Sequence, residues 1–223
     1  MKAMILAAGK GTRMGKISNI IPKPLTKINK YTLIELNILR IKKSGIKDLV
    51  INVSWLGNKI VEHLGSGKKY GVNINYSDET KKLLGTGGGI KNALPILGKK
   101  PFWIVNSDLY TDYIINQNFK LKKDILCHLI LVENPKHNKN GDFDIIGNKV
   151  TYNSNMNKRF TYSGISFISP KLFDNRKNKK FSLEPLIRKA AKMGKVTGEV
   201  YNNEWIDIGT IKRLKKIADI RMH

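Results

Sequence analysis

Residues 6–14, LAAGKGTRM, combine the end of an apolar strand with a glycine-rich turn that carries a lysine and an arginine. Glycine lets the backbone approach a ligand closely, and exposed N–H groups beside cationic side chains bind phosphate. The spacing excludes two common phosphate motifs. G-x-G-x-x-G needs glycine at position 14, which is Met14, and a P-loop needs Ser or Thr after Lys10, where Gly11 stands. The loop therefore predicts a phosphate site of another class.

Two aspartates lie in or at the end of predicted strands elsewhere in the chain. Asp108 ends the strand FWIVNSD, and Asp207 lies in the last short strand, EWIDIG. Because ligands of open α/β sheets bind beyond the carboxyl ends of the strands, we expect the 9–14 loop, a second glycine-rich turn at 85–89 and both aspartates at one edge. Carboxylates bind a divalent cation, which in turn binds phosphate oxygens. Either aspartate alone could instead cap a helix or a turn.

The elements that must position these residues alternate along the chain between strand and helix patterns. A capping box at Thr32–Glu35 opens one of the helices, and 142–152 predicts a hairpin with a Gly-Asn turn. Alternation of this kind favours an α/β fold, a Rossmann-like three-layer sandwich with a mostly parallel, mixed central sheet, in one domain over 1–223. The predicted strands are 2–7, 48–53, 72–77, 102–108, 124–133, 159–168 and 204–209, and the predicted helices are 32–43, 57–65, one following 85–89, 182–194 and 210–220.

Composition limits the possible partners. The formal charge is +24, but 34 of the 41 basic residues are lysines scattered along the chain, and no zinc-ligand cluster or RNA-binding aromatic motif accompanies them. We therefore expect a solvated lysine-rich surface and no nucleic acid as the main partner. No stretch approaches the roughly 20 apolar residues of a membrane span, so no membrane partner is expected. The single cysteine, Cys127, lies in an apolar run, which indicates a core thiol and a cytoplasmic location.

The 6–14 loop followed by P-K-P-L at 22–25 resembles the signature of the sugar-phosphate nucleotidyltransferases. These enzymes join a nucleoside triphosphate to a sugar 1-phosphate and release pyrophosphate. The similarity covers about residues 1–217. Within the family, the sequence most resembles the members that use UTP and N-acetylmuramate 1-phosphate in peptidoglycan recycling. The segments that carry it are INVSWLGNKIVEHLG, GTGGGIKNALPILG, PFWIVNSDLYTDY, LVENPKHNKNGDF, YSGISFISP and WIDIGTIKRL.

The resemblance implies a nucleotide site that holds Mg²⁺. The sugar phosphate that attacks the α-phosphorus is an anion approaching a polyanion, and like charges about 4 Å apart repel by roughly 4 kcal/mol at an effective dielectric near 20. Arg13, Lys23 and the metal are the cations expected to offset this repulsion. The nucleophile is already an oxyanion, so no general base is needed, and the four histidines are expected to be structural or surface residues. The implied nucleotide-binding residues are Gly11, Thr12, Arg13, Lys23, Gly87 and Gly88, and the implied metal ligands are Asp108 and Asp207.

The acceptor site is implied on the second half of the chain. Asn106 and Asp142 would hydrogen-bond the sugar ring and its acetamido group, and Ser163 with Gly164 would form a close-packed floor. Lys136 or Lys139 could attract an anionic lactyl ether on the sugar, although each could instead be a plain surface lysine. The expected partners are thus UTP and a sugar 1-phosphate, in a monomer or a small homo-oligomer.

The same residues are compatible with other functions. Gly85 stands where muramate-type members carry Glu, which weakens the assignment of the base and the sugar slightly. The main alternative is a guanylyl-, thymidylyl- or cytidylyltransferase acting on mannose 1-phosphate, glucose 1-phosphate or choline phosphate. A glycosyltransferase that consumes a UDP-sugar would need a D-x-D motif, which Asp108-Leu109-Tyr110 does not supply. A non-catalytic homologue is disfavoured because the four charged residues Arg13, Lys23, Asp108 and Asp207 are all present.

Overall fold

The structure, a computed structural model, describes residues 1–81, 83–152, 159–174, 179–210, 212–214 and 217, with the backbone alone at 16 and 17. The strands are β1 (Lys2–Leu6), β2 (Lys27–Ile28), β3 (Tyr31–Thr32), β4 (Asp48–Val53), β5 (Asn73–Asp78), β6 (Phe102–Asn106), β7 (Leu109–Thr111), β8 (Cys127–Val132), β9 (Asp144–Ile146), β10 (Lys149–Thr151), β11 (Thr161–Ile168), β12 (Val196–Tyr201) and β13 (Trp205–Asp207). The helices are α1 (Leu33–Lys43), α2 (Gly57–Leu64), α3 (Gly85–Leu97) and α4 (Glu184–Lys192).

A nine-stranded mixed sheet forms the centre of the molecule, in the order β5-β4-β1-β6-β11-β8-β12-β10-β9. The first four strands are parallel, with Ile5 of β1 opposite Ile51 of β4 on one side and Val105 of β6 on the other. β11 and β10 run against the other strands of this sheet. The chain passes from β1 to β4 on one side and later returns to β6 on the other. The ends of β1 and β6 therefore flank the point where the strand order reverses.

Alternate residues of β1 point into two different cores. Ala3 and Ile5 pack with α1 and α2 on one face of the sheet, and Met4 packs with α3 and α4 on the other. All three side chains are fully buried. This arrangement is the three-layer α/β sandwich that the alternation of elements predicts. Cys127 lies in the second core, where burial raises the pKa of its thiol, as expected for an unreactive core cysteine.

The capping box at the start of α1 is present. The Glu35 amide donates to Thr32 Oγ1 at 3.3 Å, and the Glu35 carboxylate accepts from the Thr32 amide at 2.7 Å. The same carboxylate accepts from Tyr70 Oη at 2.6 Å and lies 3.1 Å from His63 Nε2. Burial alone would raise the pKa of Glu35, but these hydrogen bonds and His63 outweigh it and lower that pKa to about 2.

Several elements differ from the sequence prediction. The short strands β2, β3 and β7 were not predicted, and the strand predicted over 102–108 ends at Asn106, so Asp108 lies in the turn that follows it. β12 was not predicted, although it pairs along its length with β8. β13 does not join the main sheet; it forms a separate two-stranded sheet with β7, in which Trp205 is opposite Thr111. α3 begins at Gly85, so 85–89 is the first turn of a helix and not a turn that precedes one. Short strands with an interior glycine, such as Gly198 in β12, carry weak sequence signals.

The last two predicted helices, over 182–194 and 210–220, are covered unequally by the described residues. α4 begins after Leu183 without a side-chain cap, and Ser182 lies before it. Thr210 does accept a hydrogen bond from the Arg213 amide, at 3.4 Å, as a cap would, but most of the predicted 210–220 helix lies outside the described residues. Among the helices that the structure describes, none has the length and apolarity to cross a bilayer.

Candidate active site

The first cavity lies where the strand order reverses and has a volume of about 320 Å³. The 6–13 loop, the ends of β4, β5 and β6 and the start of α3 supply its walls. Leu6, Gly9, Gly11, Thr12, Arg13, Lys23, Asn52, Glu79, Gly85, Thr86, Asn106 and Asp108 are among its lining residues.

The glycine-rich loop brings its backbone against Lys23. Gly11 has a φ of +64°, a conformation that few residues other than glycine adopt, and its carbonyl accepts from the Met14 amide at 2.8 Å. A Cβ on Gly11 would lie 2.9 Å from the Lys23 Cβ. The Lys23 ammonium forms an ion pair with the Asp108 carboxylate. Lys23 and Asp108 therefore lie together as an ion pair at the edge of the first cavity.

Asp108 and Asp207 are brought together by the small sheet of β7 and β13. Asp207 is opposite Leu109, and the Ile208 amide donates to the Asp108 carbonyl at 2.9 Å. Asp207 Oδ2 lies 2.9 Å from Arg213 Nη1 and 3.3 Å from His137 Nε2. The two aspartates line one cavity, as the sequence predicted, although β13 does not belong to the central sheet.

The carboxylates of Asp108 and Asp207 have the donor chemistry of a magnesium site. Asp207 Oδ1 is buried and has no hydrogen-bond partner among the described residues, so one carboxylate oxygen is available to a cation. The described part of the chain contains no cluster of three or more histidine, cysteine, aspartate or glutamate side chains suited to a metal. Mg²⁺ commonly takes only one or two carboxylates and completes its octahedron with phosphate oxygens and water. The donor set is therefore suited to Mg²⁺ bound with a phosphate ligand.

A second cavity of about 310 Å³ adjoins the first. A bulge in β11 between Tyr162 and Ile165 shapes its floor, because the two residues inside the bulge leave the ladder. Gly164 there has a φ of +83°, and a Cβ on it would lie 2.6 Å from Asn106 Nδ2. Asn106, Asp142, Ser163 and Gly164, the four residues implied for the acceptor, all line this cavity.

Hydrogen bonds fix the walls of the second cavity. Trp205 Nε1 donates to the Ser163 carbonyl at 2.9 Å. Asp142 accepts from the Tyr162 amide at 2.8 Å and from Asn138 Nδ2 at 3.0 Å. The two cavities share Arg13, Asn106 and Asp108, so a group bound at their border would contact a cation and a carboxylate at once.

Gly87 and Gly88 occupy a different position from the other implied residues. Both are buried, and a Cβ on Gly87 would lie 3.0 Å from the Ser182 carbonyl carbon. Their amides donate to the Phe181 carbonyl at 3.0 and 3.1 Å. Glycine at these positions therefore lets the segment before α4 pack on α3, while the neighbouring Gly85 and Thr86 line the first cavity.

Sequence reasoning missed several polar residues of the site. Asn52 and Glu79 line the first cavity and are joined by a 2.7 Å hydrogen bond from Asn52 Nδ2 to Glu79 Oε1. Asn52 Oδ1 accepts from the Ala7 amide at 2.8 Å, and Glu79 Oε2 accepts from the Leu84 amide at 3.1 Å, so the pair ties the 6–13 loop to α3. Both lie at the carboxyl ends of parallel strands, a signal that could have identified them. His137, expected to be structural or on the surface, lies against Asp207 and lines the second cavity.

The chain belongs to the nucleotidyl transferase family, whose model matches residues 2–221. An N-acetylmuramate alpha-1-phosphate uridylyltransferase from Neisseria meningitidis is 41% identical over 222 residues, which cover 97% of this chain and 96% of that protein. A D-glycero-alpha-D-manno-heptose 1-phosphate guanylyltransferase from Campylobacter jejuni is 30% identical over 220 residues, which cover 94% of this chain and 95% of that protein. The crystal structure of HddC from Yersinia pseudotuberculosis has the same fold, with a TM-score of 0.80 and 24% identity over 98% of each chain.

Proposed function

We propose that this protein transfers the uridylyl group of UTP to N-acetylmuramate 1-phosphate and forms UDP-N-acetylmuramate and pyrophosphate. The observation that carries the proposal is the pair of adjoining cavities that share Arg13, Asn106 and Asp108. The Neisseria relative, which is similar along nearly its whole length, supports this substrate pair. We assign the reaction to peptidoglycan recycling in the cytoplasm.

The first cavity is the proposed nucleotide site. The 9–13 loop would hold the triphosphate through its backbone amides, Thr12 and Arg13, because it lies at the carboxyl end of β1. Gly85 and Thr86 at the start of α3, with Asn52 and Glu79, would face the nucleoside. Gly87 and Gly88 would act indirectly, by allowing the close packing that fixes the start of α3.

The reaction is an in-line displacement at the α-phosphorus. A phosphate oxygen of the sugar 1-phosphate forms a new bond to that phosphorus, the bond to the α,β-bridging oxygen breaks, and pyrophosphate leaves. Lys23 and Arg13 would stabilise the negative charge that accumulates on the phosphate oxygens. Both residues line the first cavity, and Arg13 reaches its border with the second.

Asp108 and Asp207 are the proposed ligands of Mg²⁺. The ion would neutralise phosphate charge and help to orient the triphosphate. Lys23 pairs with Asp108 in this structure, and Arg213 with Asp207. These ion pairs orient the two carboxylates before nucleotide and metal bind.

The second cavity is the proposed acceptor site. Asn106 and Asp142 would offer an amide and a carboxylate to the ring hydroxyls and the acetamido group, and the bulge at Ser163 and Gly164 would form the floor beneath the sugar, with Gly164 packed against Asn106. The cavity is also lined by His137 and Asn138, which belong to the same segment as Lys136 and Lys139. This segment would approach the anionic lactyl ether.

The proposal is tested by pyrophosphate release from UTP, GTP, dTTP and CTP, each with N-acetylmuramate 1-phosphate, glucose 1-phosphate and mannose 1-phosphate. UTP with N-acetylmuramate 1-phosphate should have the highest kcat/KM. The Campylobacter relative makes GTP with a heptose 1-phosphate the second candidate, so this pair is included. Faster turnover with GTP than with UTP would contradict the proposed nucleotide.

A further inference from the structure

A buried asparagine lies behind the turn that carries Asp108. Asn37 is in α1, its side chain is buried, and the residue is 1% exposed. Its neighbours Ile34 and Ile38 are fully buried apolar residues of the same helix. A buried amide is costly unless its hydrogen bonds are made, so its partners reveal what holds it there.

The Asn37 amide binds the backbone on both sides of Asp108. Its Nδ2 donates to the Leu109 carbonyl at 3.0 Å and to the Ser107 carbonyl at 3.4 Å, and also to the Leu33 carbonyl of its own helix at 2.9 Å. The carbonyl between the first two, that of Asp108, accepts from the Ile208 amide at 2.9 Å. Three successive carbonyls of this turn are therefore held by hydrogen bonds from outside it.

Arg40 fixes the orientation of the Asn37 amide. Arg40 Nη2 donates to Asn37 Oδ1 at 2.6 Å, and Nη1 donates to the Tyr113 carbonyl at 3.2 Å. Because a guanidinium can only donate, the oxygen of the amide must face Arg40 and its NH₂ group must face the carbonyls. Burial lowers the pKa of Arg40 to about 10, so the residue stays charged at neutral pH. Asn37 and Arg40 thus connect α1 to the turn at Asp108.

We propose that Asn37 is a positioning residue, which holds the 107–109 turn so that the Asp108 carboxylate is aimed at the nucleotide-bound cation. The inference rests on the proposed role of Asp108. Mg²⁺ requires near-ideal octahedral geometry, so a small displacement of one carboxylate weakens its binding. Loss of a residue that orients a metal ligand typically costs about 10- to 100-fold in metal affinity or activity.

The test uses Asn37→Asp, which keeps an acceptor for Arg40 but removes both donors to the carbonyls of Ser107 and Leu109. Ser44→Ala is the matched control, because Ser44 is a buried polar residue at the end of the same helix that hydrogen-bonds Arg40 O and the Ile115 amide. In Asn37→Asp, the Mg²⁺ concentration for half-maximal activity should rise about 10- to 100-fold. The KM for the sugar phosphate should stay within about threefold of the unmodified protein, a split that general destabilisation would not produce.

A second readout does not depend on turnover. The Tm is measured with UTP and Mg²⁺ and again with UTP and EDTA, and the difference reports metal-dependent binding. We expect the Tm to be clearly higher with Mg²⁺ than with EDTA in the unmodified protein and in Ser44→Ala. In Asn37→Asp, this Tm difference should be less than half as large. Asp108→Asn serves as the reference for a lost ligand.

The outcomes separate the inference from the proposed function. If Asn37→Asp has the same Mg²⁺ midpoint and the same Tm difference as Ser44→Ala, Asn37 does not position Asp108. If Asp108→Asn responds to Mg²⁺ like the unmodified protein, the metal assignment itself fails, and the inference fails with it. Asn37→Ser is the second variant in case Asn37→Asp does not fold. Failure of both to fold would assign Asn37 to stability alone and overturn the proposal.

Discussion

Replacing Lys23 with methionine should separate the charge of this residue from its bulk. The side chain is 10% exposed and its partner Asp108 is 23% exposed, so their ion pair is shielded from water on most sides. Methionine retains an unbranched apolar stem against Gly11 while it removes the ammonium. The fold around the loop should therefore persist, and the loss should fall on the electrostatics of the site.

The size of the effect follows from the distances at which phosphate groups are bound. One unit charge about 4 Å from another contributes roughly 4 kcal/mol at an effective dielectric near 20. Arg13 and the metal would compensate in part, so kcat should fall about 100- to 1,000-fold, the usual cost of one preorganised stabiliser. Fully buried pairs cost about 3–5 kcal/mol of stability when one partner is removed, and exposed pairs about 0–1. This pair is intermediate, so the free energy of unfolding should fall by about 1–2 kcal/mol.

The assay is pyrophosphate release under saturating UTP, sugar phosphate and Mg²⁺, accompanied by urea unfolding. Lys27→Met is the matched control, because Lys27 is exposed and lies four residues further along the chain. It should retain kcat within about twofold, as expected for an exposed charge. If folded Lys23→Met turns over within about threefold of the unmodified protein, Lys23 does not stabilise the transition state.

Three further predictions concern other parts of the chain. Asp207→Asn should raise the Mg²⁺ concentration needed for half-maximal activity at least about tenfold, since a carboxylate ligand is lost, and an unchanged Mg²⁺ titration would show that Asp207 is only structural. Asp142→Ala should lower the kcat/KM ratio of N-acetylmuramate 1-phosphate to glucose 1-phosphate more than it changes the KM for UTP, and equal losses for both sugars would remove Asp142 from acceptor recognition. The pKa of Glu35 is lowered to about 2 in the folded protein, so its contribution to stability is present above about pH 4.5 and is lost as the pH falls towards 2. Glu35→Gln should therefore be less stable at pH 7 and show a flatter dependence of Tm on pH in that window; parallel profiles for the two proteins would refute the assignment.

The sequence was informative where local chemistry determines structure. The capping box at Thr32, the hairpin turn at Gly147 and the apolar strands of the parallel half each depend on residues close together in sequence, and all are present in the structure. The rule that ligands bind at the carboxyl ends of parallel strands then brought the 9–13 loop and Asp108 to one edge.

What the sequence could not supply depends on contacts between distant segments. β7 and β13 are three residues each, and Asp207 reaches the site only because those strands pair with each other. Gly87 and Gly88 resemble a ligand-binding turn, yet their small size is required by segments about 90 to 95 residues further along the chain. Phe181 and Ser182 pack against Gly87, and the Lys179 carbonyl packs against Gly88. No sequence pattern marks Asn37, because its hydrogen bonds to the 107–109 turn form only when α1 packs behind that turn.

The central claim is tested most directly by competition. An equimolar mixture of N-acetylmuramate 1-phosphate and glucose 1-phosphate is given to the enzyme with limiting UTP and Mg²⁺, and the two UDP-sugars are quantified by mass spectrometry. Their ratio in the early reaction equals the ratio of the two kcat/KM values. We expect UDP-N-acetylmuramate in at least about 100-fold excess over UDP-glucose, because the site would hydrogen-bond groups that glucose 1-phosphate lacks. Equal amounts of the two products, or an excess of UDP-glucose, would contradict it.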